Sequence, residues 1–375
     1  MINKNVVALG FVSFFTDMAS SMITPILPLF IVYVLNEGVD KLGFVVAVAT
    51  FVSYAFRILF GYLSDKYQVV KPFVVTGYLV SALTKPLLYF ANTWQTIAGL
   101  RGIERMGKAI RSATKDSLIS SYSDGKSGKT FGFHKTMDIA GELSGSIIAF
   151  LVLYHFGKSR AVFENIFAFT LIPGIVAVII VYFFVKDAPY KKKETTFSLK
   201  DDYSLLPMLF IYFGFIFFMF NESFYIIKAK EAGFRIEYIP LLIVLLNLVQ
   251  VMLSYFFGLK IDKVGAKKIL FISFVFGILS MLSLYFNFII IGFALLGIFT
   301  VASLNALRAY ISVHAFNKGT VYGILYGGVA LSGALGAVVI GLVWKYFGES
   351  RAVIFSLTGL CLVILFSAIK LKGQK

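Results

Sequence analysis

The chain has 375 residues, of which 59% are hydrophobic and only 14% charged; a soluble domain carries about a quarter charged residues. This excludes an ordinary soluble enzyme and a disordered chain. The net charge of +16 suggests a polyanionic partner only until the positions of Lys and Arg are read.

The first apolar run, Val6–Leu35, contains one acidic residue, Asp17, and no basic one. It has no small-residue cleavage site and carries Pro25 and Pro28, so it reads as a retained helix and not a signal peptide. Further runs follow at Leu42–Leu63, Phe73–Ala91, Ile147–Leu153, Phe167–Val185 and Leu205–Ile227. The series ends with Ile239–Leu259, Ile269–Phe286, Phe288–Leu307, Val321–Trp344 and Val353–Ile369. Most reach the roughly 20 residues needed to cross a bilayer as a helix. Runs of this length exclude the short alternating strands of a membrane barrel.

Basic residues gather on one side of this series. Lys186, Lys191, Lys192, Lys193 and Lys200 follow the sixth span, and Lys260, Lys263, Lys267 and Lys268 follow the eighth. The positive-inside rule then places both termini in the cytoplasm of a multi-pass protein of the cell membrane. The charge reports topology, and no nucleic-acid partner is expected. A single cysteine, Cys361, excludes an intrachain disulfide. His134, His155 and His314 are scattered without ligand spacing, so neither a metal nor a cofactor is expected.

The most polar stretch, Asp187–Asp202, divides the chain. An internal repeat supports the division: Gly61, Asp65, Lys66 and Lys71 recur as Gly258, Asp262, Lys263 and Lys268, at an offset of 197 residues. Ala109 and Arg111 recur as Ala306 and Arg308 at the same offset. Beyond a shorter loop Gly145 pairs with Gly336. The repeat also identifies a span that hydropathy alone misses. Thr96–Ser117 is rich in charge, but its counterpart Phe288–Leu307 is plainly apolar. The expected fold is an all-α membrane protein with twelve transmembrane helices in two six-helix pseudo-symmetric bundles, residues 1–186 and 203–375, joined by a cytoplasmic linker, 187–202. Two such halves are a known transporter architecture, with the substrate site between them.

The repeated loop resembles the signature loop of the major facilitator superfamily, G-x-L-x-D-[RK]-x-G-[RK]-[RK]. The second copy matches with Asp262, Lys263, Gly265, Lys267 and Lys268; the first keeps Gly61, Leu63, Asp65 and Lys66 but has Gln68 at the second glycine. The resemblance implies a cytoplasmic gate built from Gly61, Asp65, Lys66, Gly258, Asp262 and Lys263. Arg101 with Gly107 and Ala109 is similar to the superfamily's fourth-helix motif, in which an arginine faces the cavity. Together with Phe15-Thr16-Asp17 and Phe131-Gly132-Phe133-His134, this run resembles a prokaryotic set of facilitator proteins, mostly of undetermined substrate. Gly141-Glu-Leu-Ser-Gly145 resembles a fifth-helix antiporter motif, except that Ser146 stands where a proline is expected.

Ionisable residues inside a membrane are costly and mark functional sites by default. Arg101, Arg105 and Lys108 lie on one helical face, with Glu104 spaced to pair with Lys108. His134, Asp138 and Glu142 share another face, and Asp17 lies halfway along the first helix. These charges nearly balance and do not choose between an anionic and a cationic substrate. Arg57 and Arg111, near helix ends, are expected to snorkel, and with Lys85 to be structural. The second half offers mainly Asn221, Glu222, Asn247, Gln250 and Asn305. The substrate and coupling site is therefore expected at Asp17, Arg101, Glu104, Arg105, Lys108, Asp138, Glu142, Glu222, Gln250 and Asn305. The glycines near residues 323–336 are expected to serve close helix packing.

The function expected is a secondary active transporter, not an enzyme, moving a small solute by alternating access with protons as a coupling ion. A monomer in the lipid bilayer is expected. Two alternatives stand beside it: a lipid or lysolipid flippase using the Phe-rich seventh helix, and a transport-inactive receptor or scaffold. Ser127-Gly128-Lys129-Thr130 lacks the strand and first glycine of a phosphate loop.

Overall fold

The computed structural model describes residues 3–67, 70–122, 127–187 and 202–372, with the side chains of 58, 61, 62, 64–67, 113, 116, 117, 120, 121, 127–129, 131, 318, 319 and 368–372 set aside. Helices account for nearly all of it. In chain order they are α1 (Lys4–Val34), α2 (Val39–Tyr67), α3 (Lys71–Phe90), α4 (Trp94–Ser121), α5 (Ser127–Phe156) and α6 (Arg160–Phe184). The second series is α7 (Tyr203–Glu231), α8 (Ile236–Val264), α9 (Ala266–Tyr285), α10 (Ile289–His314), α11 (Lys318–Phe347) and α12 (Glu349–Lys372). Among the described residues 11 of them qualify as membrane spans by length and apolarity. The remaining one is α4, an unbroken 28-residue helix, as the repeat requires.

Local chemistry explains where the helices bend. In α1 the regular helix ends at Ile23, and a π-helical turn follows at Phe30–Val34. Pro25 cannot donate to the helical ladder and its ring crowds the preceding turn. The Thr24 hydroxyl donates to the Ser20 carbonyl at 3.1 Å, occupying a carbonyl at that break. Pro86 likewise converts the end of α3 to a 3-10 turn at Pro86–Phe90. No proline marks the break in α7. There the helix stops at Phe218 and restarts at Glu222, where the Asn221 side chain accepts from Ser223 N–H at 3.0 Å. Asn221 is thus a helix cap.

By its contacts the chain divides into two compact units: Met1–Glu37, Val48–Glu194 and Arg235–Val244 form the first; Gly38–Ala47, Thr195–Phe234 and Leu245–Lys375 form the second. The first turns of α2 belong to the second unit through close contact with α11. A Cβ on Gly43 would lie 2.5 Å from the Ala337 carbonyl oxygen. Beside it the buried Asp40 carboxylate accepts from Lys345 Nζ at 3.1 Å. The first turns of α8 belong to the first unit, where Tyr238 meets the rings of Phe150 and Tyr154 of α5.

Each unit is bound by the same device. In the first, α5 lies so close to α1 that a Cβ on Gly145 would fall 2.2 Å from the Met18 carbonyl oxygen, and one on Gly141 2.2 Å from that of Phe14. In the second, a Cβ on Gly336 of α11 would fall 2.2 Å from the Phe217 carbonyl oxygen of α7. Without an apolar driving force between helices in lipid, such close approach supplies the packing. Gly328 presses on the Phe213 ring in the same way. Aromatic stacking fills the rest of the second unit, with Phe215 on Phe274 at 4.3 Å between ring centroids. Asp202, fully buried, accepts from the Phe316 and Asn317 N–H groups at 2.8 and 2.9 Å, just ahead of α11. A carboxylate there complements the helix dipole.

Substituting Gly145→Val or Gly336→Val is expected to destabilise the protein by about 1–3 kcal/mol or more, the cost of overpacking a tight contact. Gly132→Ala, which meets nothing within 4 Å, should not destabilise it. Thermal unfolding of the purified variants checks both.

Candidate functional site

The charges expected on α4 converge with those of α1, α3 and α5 inside the first unit. Gly107 of α4 meets Gly77 of α3 closely enough that a Cβ on either would lie under 3 Å from the other's carbonyl oxygen. This approach lets short polar side chains reach between the helices. The Ser81 hydroxyl donates to the Glu104 carbonyl at 3.2 Å and accepts from Arg111 Nη1 at 2.8 Å.

Glu104, 2% exposed, carries the central ion pair. Its Oε2 lies 3.0 Å from Arg101 Nη1 and 3.2 Å from Arg105 Nε. One carboxylate thus serves two guanidiniums, and the Glu104–Lys108 pair expected from helical spacing is not formed as a contact. Lys108, midway along α4, is exposed. Asp17 on α1 lies within electrostatic reach of Lys108, Lys85 and Glu142. Among the described residues the side chains of Asp17, Lys108 and Glu142 make no hydrogen bond or contact ion pair.

Two cations set apart as structural lie in this cluster. Lys85 of α3 is 1% exposed and its Nζ donates to the Thr16 carbonyl, next to Asp17, at 3.2 Å. Arg111 does not snorkel. It is buried, bound to Ser81, with its guanidinium carbon 4.5 Å from the centre of the Tyr78 ring. That is a cation–π contact with a neutral partner. The signal for both was charge within a span, and for Arg111 also the repeat; placement near a helix end masked it for Arg111.

A second polar layer lies toward the chain's N-terminus on α1. His134 Nε2 is 2.8 Å from Ser13 Oγ, and its Nδ1 is 3.3 Å from Asp138 Oδ1. Lys115 Nζ also donates to Ser13 Oγ, at 3.3 Å. Asp138 is thereby joined to α1 and α4, while Glu142, one turn further along α5, stays half-buried.

The expected residues of the second unit do not converge in this way. Glu222 starts the second segment of α7. Asn305 of α10 donates to the Ser254 carbonyl and hydroxyl of α8 at 3.5 and 3.4 Å, a link between helices. Gln250 is half-buried on α8. The phenylalanines of α7, expected to open a lateral cavity, are largely consumed in packing. Phe213, Phe215 and Phe220 are buried, and Phe220 stacks on Trp344. Phe210 and Phe218 line a shallow apolar groove with Gly214, Gly359 and Leu362.

Of the repeated loop, the side chains of Gly61, Asp65 and Lys66 lie outside the described residues. In the second copy Asp262 and Lys263 are exposed on the last turn of α8. Gly265 has φ of 95°, a conformation that favours glycine, and turns the chain into α9.

A bundle of membrane-spanning helices in two units, one holding a network of charges within its spans, defines a polytopic transporter. The sequence profile of the Major Facilitator Superfamily matches residues 9–246, and the chain belongs to that superfamily. An uncharacterized MFS-type transporter of Methanocaldococcus jannaschii is 34% identical, over 97% of this chain and 95% of its own. Among solved structures the nucleoside transporter NupG superposes with a TM-score of 0.77 at 15% identity, covering 98% of this chain and 99% of that one. A D-xylose-proton symporter superposes with a TM-score of 0.69 at 16% identity, covering 96% and 95%. Both show the shared fold.

Glu104→Gln is expected to lower the unfolding temperature sharply, because it strands two guanidiniums; breaking a buried pair costs about 3–5 kcal/mol. Arg160→Gln, which removes an exposed pair with Glu164 at 2.7 Å, should cost no more than about 0.5 kcal/mol. Thermal melts of both variants decide whether Glu104 holds the cluster.

Proposed function

We propose that this protein is a secondary active transporter that moves a small solute across the cell membrane by alternating access, coupled to protons. The observation that carries the reading is the set of ionisable groups on α1, α3, α4 and α5 of the first unit: a packing role alone gives no reason to leave Asp17, Lys108 and Glu142 without contact partners in membrane-spanning helices. Charge inside a span costs at least a few kcal/mol per group, and carboxylates so placed serve as proton carriers. Asp17 and Glu142 are assigned to coupling, and Lys108 together with Arg101 and Arg105, which Glu104 anchors, to the solute path. His134 and Asp138 extend that path along α5. Glu222, Gln250 and Asn305 are assigned as polar solute contacts of the second half, and the loops with Asp65–Lys66 and Asp262–Lys263 as its cytoplasmic gate. Both termini are cytoplasmic, and the working unit is a monomer.

In proteoliposomes, uptake is expected to require an imposed pH gradient. Glu142→Gln and Asp17→Asn should abolish the gradient-driven uptake while leaving solute exchange. Uptake that persists with the gradient collapsed, and shows no pH dependence, would refute proton coupling. Arg105→Ala should stop transport with folded protein retained; unimpaired transport would return Arg105 to a structural role.

Orientation is read independently. In a Cys361→Ser background, Lys158→Cys should be labelled on intact cells by a membrane-impermeant thiol reagent. Lys193→Cys should be labelled only after permeabilisation; the reverse pattern would invert the topology.

A further inference from the structure

Lys108 stands about 20 Å along the helix axis from either end of α4, at 1.5 Å per residue. Its side chain is far too short to reach an interface, so its exposure is not snorkelling. An ammonium facing hydrocarbon at that depth is too costly to persist, and exposed groups of this kind face a polar passage. Lys108 therefore borders the solute path.

The charges around it do not cancel. Arg101 and Arg105 share the single carboxylate of Glu104. Lys85 is held by the Thr16 carbonyl, and Arg111 by Ser81 and the Tyr78 face, all neutral partners. Against these cations and Lys108 stand Asp17 and Glu142, which touch none of them, and Asp138, which lies beside His134. Among the described residues the formal cations of the cluster outnumber its carboxylates in a low-dielectric setting, where a missing counter-charge is felt most strongly. Protonation of Asp17 or Glu142 would enlarge the surplus.

We propose that the transported solute is a small oxyanion, a carboxylate or a phosphate, that completes this cluster by contacting Lys108, with Lys85 and Arg111 supplying the field behind it. The inference rests on the transport reading for its biological meaning, but it is tested by binding.

The test uses the purified full-length protein and a thermal shift with lactate, succinate and inorganic phosphate, against glycerol as a neutral and choline as a cationic probe. At least one of the three anions should raise the unfolding midpoint by about 3 °C, the order expected of a well-occupied site. Glycerol and choline should not. Lys108→Gln should lose the shift and Lys108→Arg keep it. Should Lys108→Gln fail to fold, acylation of Lys108 in the unsubstituted protein, followed by mass spectrometry, replaces it: the binding anion should slow modification at least threefold. A flat response to all three anions, an equal response to glycerol or choline, a full shift in Lys108→Gln, or unprotected Lys108 overturns the proposal. Anion binding without transport in proteoliposomes would leave the anion site at Lys108 standing and refute the transport reading. Transport of a neutral or cationic solute with no anion binding would do the reverse.

Discussion

A carboxylate buried in a membrane-spanning helix is tolerable only beside a cation, and Glu104 has two. The arrangement of α4 depends on that constraint. The helix is not apolar enough to qualify as a span by itself, so its place among the other helices rests on neutralised charge and close packing. Gly77 and Gly107 bring α3 and α4 within backbone contact, and Ser81, at the same level, satisfies the Glu104 carbonyl and the Arg111 guanidinium together. Ion pair, glycine contact and serine bridge occupy neighbouring turns of one helix pair. The ion pair lies within α4, whereas the glycine contact and the serine bridge hold only while the two helices stay close.

Most of the fold was legible in the sequence because membrane helices must satisfy their backbone internally and show as long apolar runs. The charged fourth helix was legible for another reason: the apolar half of the repeat stands in for it, 197 residues on. The breaks at Pro25 and Pro86 follow from proline chemistry. The break in α7 does not, since Asn221 fits a helix interior as readily as a cap, and its capping role exists only once the chain has turned there.

The site was legible in its residue types and less so in its pairings. Helical spacing offers Glu104 both Lys108 and Arg101, and the sequence cannot rank them. The fold ranks them by burial: Arg101 shares the buried face with Glu104, while Lys108 is exposed. Arg111 was expected to snorkel, which it does not, for a related reason. Position near a helix end predicts snorkelling when the surroundings are lipid, but Ser81 and Tyr78 surround it with polar and aromatic partners from the neighbouring helix. Those partners lie more than twenty residues away in the chain and leave no local signature.

The two units show how one scaffold carries unequal chemistry. Gly145 against Met18 and Gly336 against Phe217 are the same contact at the same separation, so the helix pairs are set by backbone approach and not by the side chains around them. That frees the remaining faces to diverge. In the second unit they are filled with stacked rings, Phe215 on Phe274 and Phe220 on Trp344, which need no partner charges. In the first they hold a network whose members share few carboxylates. Gathering the charges in one unit lets a single buried carboxylate serve two guanidiniums, where dispersing them would require a separate counter-ion for each. The polar half is therefore the unit in which an added or missing charge changes the energy most.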